Sequence, residues 1–147
     1  MTDKTAKTIA DLHAVAFQTT RAWSVDEMQA LLQSPHIFVV SADYGFAMGR
    51  VIVDEVELLT IAVHPEQQGK GFGRKLLLQF EQEARSRGAK HAFLEVAEDN
   101  EAARALYLSA GWAESGRRQG YYARKAGGDV DAIALSKRLP LGEPSEK

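Results

Sequence analysis

Apolar positions along the chain change their spacing several times, and each change marks the start of a new element. Ile9, Leu12, His13, Ala16 and Phe17 recur every three or four residues, which predicts a helix with one inward face. A second helix is predicted from Ser24. Ser24 and Glu27 stand at the spacing of a reciprocal N-cap, and Trp23 and Met28 at that of a hydrophobic staple. Met28, Leu31 and Leu32 form its inner stripe, and Pro35 marks its end. The apolar residues then gather into short runs bounded by turn residues. Ile37 to Ser41, Phe46 to Val53 and Val56 to Val63 read as strands, separated by Ala42-Asp43-Tyr44-Gly45 and by Asp54-Glu55. His64-Pro65 stops the third run, because proline has no N–H to give to a ladder.

Beyond a glycine-rich segment the helical spacing returns in Leu76, Leu77, Phe80 and Ala84, with Gly88 placed to end the helix in a left-handed cap. His91 to Val96 is a strand. A helix then begins near Asp99-Asn100, carries the stripe Ala103, Leu106, Tyr107 and Ala110, and stops at Gly111. Trp112 to Arg117, Tyr121 to Arg124 and Ile133 to Leu139 read as closing antiparallel strands. Strands, a helix, a strand, a helix and more strands give one α/β domain of the α+β kind over residues 1–139, a mixed sheet flanked by helices. Residues 140–147, rich in proline, glutamate and serine, read as a flexible tail.

Composition narrows the function classes. With 147 residues the chain can bury one full core, and a net charge of −2 offers phosphate backbones no general attraction, so no nucleic-acid partner is expected. No run of about 18 apolar residues suggests a membrane span. The polar start Met1-Thr2-Asp3-Lys4 does not read as a secretory signal, so a cytoplasmic protein is expected, as a monomer or weak dimer. Cysteine is absent, and His36, His64 and His91 have no partner at ligand spacing, so no metal site is expected.

The segment Gln68-Gly69-Lys70-Gly71-Phe72-Gly73-Arg74 lies between a strand end and a helix start. Unpaired N–H groups and the positive end of the helix dipole meet there, and glycines let an anion approach the backbone. A Walker A loop needs Ser or Thr after Gly-Lys, whereas Gly71 follows Gly69-Lys70. The dinucleotide fingerprint needs two residues between its last glycines, and Gly71 and Gly73 are separated by Phe72 alone. What remains, Gln-x-x-Gly-x-Gly after Ile61-Ala62-Val63, resembles the pyrophosphate loop of the GNAT superfamily of N-acetyltransferases. Leu94-Glu95-Val96, Asn100 to Ala103, Ala105-Leu106-Tyr107 and Ala110-Gly111-Trp112 resemble its downstream half. Trp23-Ser24, Arg117-Arg118 before Tyr121-Tyr122, and Asp131-Ala132 bring the chain nearest the branch that acetylates the N-terminal alanine of a bacterial ribosomal protein.

The resemblance implies a GNAT-type fold, with a mostly antiparallel sheet and a splayed parallel strand pair. It implies acetyl-CoA as co-substrate. The backbone of Ile61, Ala62 and Val63 would pair with the pantetheine arm. The loop from Gln68 through Gly69, Lys70, Gly71, Phe72, Gly73 and Arg74 would hold the pyrophosphate, and Asn100 and Ala103 would contact the lower cofactor. Glu95 is implied as general base and Tyr107 as general acid, since an attacking amine must lose a proton and a leaving thiolate must gain one. Trp23, Arg118, Tyr121 and Tyr122 are implied at the acceptor, a protein N-terminus or a small amine. Each role has a structural rival: Glu95 as an outward strand residue, Tyr107 as a core aromatic, Arg117 and Arg118 as a solvated hairpin edge. Thr60, where the superfamily often carries Asn, and Gln119-Gly120, where the nearest branch has a single Asn, both bear on the acceptor side. A small-amine acetyltransferase and a non-catalytic coenzyme A sensor therefore stay open as alternatives.

Overall fold

The computed structural model describes residues 24–122 and 128–140. The expected first helix, Trp23 and the tail beyond Pro140 lie outside those residues. Ser24 starts helix α1 (Val25–Leu32): its hydroxyl accepts from the Glu27 N–H at 3.1 Å, and the Glu27 carboxylate accepts from the Ser24 N–H at 2.8 Å. This reciprocal cap satisfies donors that the first helical turn leaves over. Strands β1 (Ile37–Ala42), β2 (Gly45–Ile52) and β3 (Glu55–Val63) follow as an antiparallel meander. Helix α2 (Phe72–Ser86) then returns the chain to β4 (His91–Ala97), which lies parallel to β3. Helix α3 (Glu101–Ser109) leads to β5 (Ala113–Tyr122) and β6 (Val130–Arg138). The strand order is β1-β2-β3-β4-β6-β5.

One expectation is corrected. The two strands expected to either side of Arg118 to Gly120 are one, because Ala113 to Tyr122 run as the single strand β5; Ala123 and Arg124 lie outside the described residues. The ladder to β6 is irregular between Arg118 and Tyr122, where Gly120 takes φ +59° and turns its N–H onto the Asp131 carboxylate at 2.9 Å. An irregularity built on glycine absorbs two extra residues of β5 without ending the strand.

The inner stripe of α2 (Leu77, Phe80, Ala84) and Tyr107 of α3 pack with Val56, Leu58, Leu94, Val96, Ile133 and Leu135 on one face of the sheet. Met28 of α1 meets Phe46, Met48 and Ala62 on the other. Burying each of the larger aliphatic side chains and phenylalanines among these contributes roughly 1.5–3 kcal/mol.

The one parallel pair among the described residues is short. β3 and β4 match Glu55 with His91, Val56 with Ala92 and Glu57 with Phe93, and no further. On its other edge β3 stays paired with β2 to Val63, but Met48 faces Thr60 and Gly49 faces Leu58, so Leu59 is an extra residue in β3. A bulge bends its strand and exchanges the faces beyond it. The packing shows the exchange: Val56 and Leu58 join the α2 side, Leu59 and Ala62 the α1 side, and Ile61 returns to the α2 side. The bend carries the last residues of β3 away from β4 and opens a wedge at the C-terminal ends of both strands.

A buried ion pair ties the layers behind this wedge. Glu81 of α2, 2% exposed, accepts from the Trp112 indole at 3.1 Å and from Lys137 of β6 at 2.8 Å. Lys137 also donates to the Ala110 carbonyl at the end of α3, at 2.8 Å. Removing one member leaves a charge in the core without its partner. Lys137→Met is therefore expected to destabilise the fold by about 3 kcal/mol in urea unfolding, with Glu81→Leu in the Lys137→Met background recovering part of the loss. Full additivity of the two changes would show that the pair is not coupled.

Candidate active site

The turn after β3 is held at both ends before it reaches its glycines. Pro65–Gln67 form one turn of 3-10 helix capped by the His64 ring, whose Nδ1 accepts from the Glu66 N–H at 3.3 Å. The Gln68 side chain donates back to the Val63 carbonyl at 2.9 Å. The His64 N–H is fixed on the Tyr44 carbonyl at 2.8 Å, and the Tyr44 ring stacks on Phe72 at a centroid distance of 4.1 Å. Arg74 donates to the hydroxyl and carbonyl of Ser109, at 2.8 and 3.3 Å, and so locks the first turn of α2 to the last turn of α3.

Between these anchors the backbone is left open. The N–H groups of Gly69 to Arg74 find no acceptor among the described residues, and the first main-chain bond of α2 runs from Lys75 to the Gly71 carbonyl at 3.2 Å. Gly71, the N-cap residue, has no side chain to cap with, and the first turn of α2 holds no acidic residue. Gly69 and Gly71 adopt φ +80° and +85°, and a Cβ on either would meet no heavy atom within 4 Å. A row of unspent donors, a positive helix end and an open concave side together fit a phosphate-bearing ligand. Beside the loop, the edge of Ile61 to Val63 that faces β4 has no strand partner among the described residues, because that ladder stops at Glu57.

Across the wedge, β4 carries the candidate base. Leu94 and Val96 point into the α2 side of the core, so the alternation of the strand turns Glu95 to the opposite face. There Arg118 grips it with both ends of the guanidinium, Nε to Oε2 at 2.6 Å and Nη2 to Oε1 at 2.5 Å. The Arg118 guanidinium also lies 4.2 Å from the centroid of the Tyr121 ring. Tyr107 comes from the other side of the sheet, 6% exposed and tilted against Trp112 at 6.0 Å. The two candidate catalytic residues thus lie on opposite faces of the sheet.

A second cluster holds β5 and β6 in register. Arg117 bridges Asp131 at 2.6 Å and Glu98 at 3.1 Å. The Gly120 N–H, and after it the Arg117 guanidinium, hold the Asp131 carboxyl below its ordinary range, while Asp131 and then Glu98 make Arg117 hold its proton still more firmly.

Comparison with known proteins shows the family to which the chain belongs. The acetyltransferase (GNAT) family matches residues 6–112. The chain belongs to the GNAT acetyltransferase family. The N-alpha-acetyltransferase RimI of Mycobacterium tuberculosis is 36% identical over 154 aligned positions, covering 99% of this chain and 92% of that protein. The [ribosomal protein bS18]-alanine N-acetyltransferase of Escherichia coli is 42% identical over 97 residues, which span 66% of this chain and 64% of that protein. The crystal structure of the ribosomal-protein-S18-alanine N-acetyltransferase from Escherichia coli matches with a TM-score of 0.79 and 28% identity, covering 94% of this chain and 92% of that one. An acetyltransferase structure from Salmonella typhimurium, holding its cofactor acetyl-CoA, matches with a TM-score of 0.72 and 25% identity over 91% of this chain and 88% of that one.

For a GNAT enzyme the fold brings Ile61, Ala62, Val63, Gly69, Lys70 and Gly71 to one side of the wedge and Glu95, Arg118 and Tyr121 to the other. Several expected contacts have structural duties. Gln68 braces its own loop, and Phe72 is stacked on Tyr44. Gly73 lies against Leu106, with which a Cβ there would be in ordinary contact at 3.4 Å. Asn100 caps α3 by accepting from the Ala103 N–H at 3.2 Å, so that N–H is already engaged. Tyr122 ends β5, and Trp23 lies outside the described residues. Sequence reasoning missed Tyr44 and Ser109, which stand far along the chain from the loop they fasten. It also missed the Glu95–Arg118 bond. A cavity of about 360 Å³ lined by Arg50, Ile52, Val53 and Phe93 lies at the opposite end of the sheet and contains none of the candidate residues.

Two outcomes follow. Gly71→Ala forces a β-carbon into the anion cradle at positive φ, so acetyl-CoA affinity measured by calorimetry should fall at least tenfold, about 1.4 kcal/mol, and unchanged affinity would remove the loop from the phosphate site. The Asp131 carboxyl should titrate by NMR below the ordinary value of about 3.9. Because its folded-state value is depressed, its contribution to the hairpin is complete above the unfolded-chain value and is lost only as pH falls through the lower one. An unshifted midpoint would mean that the Gly120 and Arg117 bonds are not formed in solution.

Proposed function

We propose that this chain acetylates the α-amine at a protein N-terminus, with a ribosomal protein as the leading candidate acceptor and residues 1–139 acting as one domain in the cytoplasm. The observation that carries the reading is the position of Glu95, on β4 just beyond the point where its pairing with β3 ends, its side chain 26% exposed beneath an Arg118 side chain that is 55% exposed. Tyr121 beside it is 51% exposed, which leaves room for a polypeptide to approach. The Mycobacterium tuberculosis and Escherichia coli relatives, both named for N-terminal acetylation, support the same acceptor.

Acetyl-CoA, when bound, supplies the acetyl group as an activated thioester. The N–H groups of Gly69 to Arg74 take the pyrophosphate, and the free edge of Ile61 to Val63 aligns the arm along the wedge. From the outer face Glu95 accepts a proton from the acceptor ammonium and so frees the nitrogen lone pair. From the inner face the Tyr107 phenol donates a proton to sulfur as the carbon–sulfur bond breaks, and recovers one from the newly acylated nitrogen. Protons therefore balance at the amide, the thiol and Glu95, which returns its own to solvent. An α-amine, with a reference pKa of about 7.7–8.0, asks far less of one carboxylate than a lysine side chain near 10.4. A small-amine acceptor is the rival reading, since fold alone does not fix the acceptor.

The experiment is acetyl transfer to peptides with a free N-terminus and an internal lysine, against polyamines and free amino acids, read by mass spectrometry. The acetyl group is expected on the N-terminal nitrogen, and exclusive modification of lysine or of polyamines would overturn the reading. Glu95→Gln should lower turnover by about 10²–10⁴ while acetyl-CoA affinity persists. Tyr107→Phe should do likewise with the fold intact, and wild-type turnover would return Tyr107 to the core.

A further inference from the structure

The bond between Glu95 and Arg118 poses a problem for any role of Glu95 at the acceptor. Both carboxylate oxygens are engaged, at 2.6 and 2.5 Å, by a group that holds its proton at every physiological pH. The guanidinium lies over the face that the acceptor must approach. β6 runs between the two residues, and on that face it presents only small side chains. Ala134 pairs with Glu95, Ala132 pairs with both Ala97 and Arg118, and cross-strand partners share a face. Arg118 therefore lies flat across β6 to reach β4. Its side chain is 55% exposed and that of Glu95 26% exposed, so water reaches the pair and the bond can exchange. The Tyr121 ring offers the guanidinium a second resting place at 4.2 Å.

An acceptor N-terminus arrives as a cation at neutral pH. It carries the same charge as the guanidinium and seeks the same carboxylate. We infer that Arg118 is a placeholder cation, occupying on Glu95 the position that the acceptor α-ammonium takes, so that acceptor binding exchanges one cation for another. The inference rests on the proposed α-amine acceptor. The exchange keeps Glu95 partnered by a cation in both states and leaves Arg118 stacked on Tyr121. It also selects against neutral acceptors, which gain nothing at Glu95 that would offset displacement of the guanidinium. Arg118 acts through Glu95 and takes no part in bond making, which makes it a positioning residue.

The test is steady-state kinetics of wild type, Arg118→Gln and Arg118→Lys with a free-N-terminus peptide, with thermal melting and acetyl-CoA affinity as checks on the fold. Removing the competing cation should lower the peptide KM about two- to fivefold, within the range that exposed ion pairs reach, and leave the acetyl-CoA KM unchanged. Arg118→Lys, which keeps charge but loses the two-pronged grip, should fall between and serves as the second variant if glutamine impairs folding. Methylguanidinium should inhibit Arg118→Gln competitively against peptide at concentrations that leave wild type unaffected. A peptide KM that rises or stays the same in Arg118→Gln would overturn the placeholder and leave N-terminal acetylation intact. A wild-type enzyme that acetylates no α-amine would overturn both.

Discussion

Once β3 has passed Glu57 and β4 has passed Phe93, the two strands stop exchanging hydrogen bonds, and the sheet is left with a wedge at its centre. Two properties of the site follow from that one loss of pairing. The inner edge of β3 keeps main-chain groups that no neighbouring strand satisfies, and such an edge accepts an extended ligand as it would a strand. The gap also lets side chains from opposite faces reach the same space, which an intact sheet forbids. Glu95 stands there on the outer face of β4, and Tyr107 packs in the core on the inner face. Leu59, the extra residue in β3, bends the strand at the point where pairing ends, and the alternation restarts out of phase so that Ile61 still packs on the core.

The wedge stays open only if its walls are held elsewhere. One wall is fixed by Phe72 on Tyr44 and by Arg74 on the end of α3, the other by Arg117 on Asp131 and Glu98. Behind both, Glu81 and Lys137 join α2, α3 and β6. These contacts use cations at helix ends and between strands, where they meet carbonyls or carboxylates at short range. The loop glycines then need supply nothing but backbone donors.

The elements were largely legible in the sequence because each has its own signal. The cap at Ser24, the stripe Leu77-Phe80-Ala84 and the glycines ending α2 and α3 are local features, set within a few residues. The glycine loop was legible for the same reason. What was not legible depends on pairs distant in the chain. Gln119-Gly120 read as a turn because a bulge is visible only against its partner strand, here through Asp131. Gln68 and Gly73 read as ligand contacts because a motif records that a residue is needed, not what it touches. Their neighbours, the Val63 carbonyl and Leu106, show one bracing the loop and the other lying against α3.

Two glutamates show how one residue type acquires different duties from its surroundings. Glu81 sits on the inner face of α2, where helical spacing alone would call for an apolar residue, and it is 2% exposed. A carboxylate so placed must be paired, and Lys137 and Trp112 pair it. Exchange would leave a charge in low dielectric, so the bond is kept and Glu81 is structural. Glu95 is also paired with a cation, at distances at least as short, but its partner is more than half exposed. Neither bond length nor charge separates the two. Access does: where water can replace a partner, so can another cation, and an ion pair that would be permanent in the core becomes at the mouth of the wedge a site that changes its occupant.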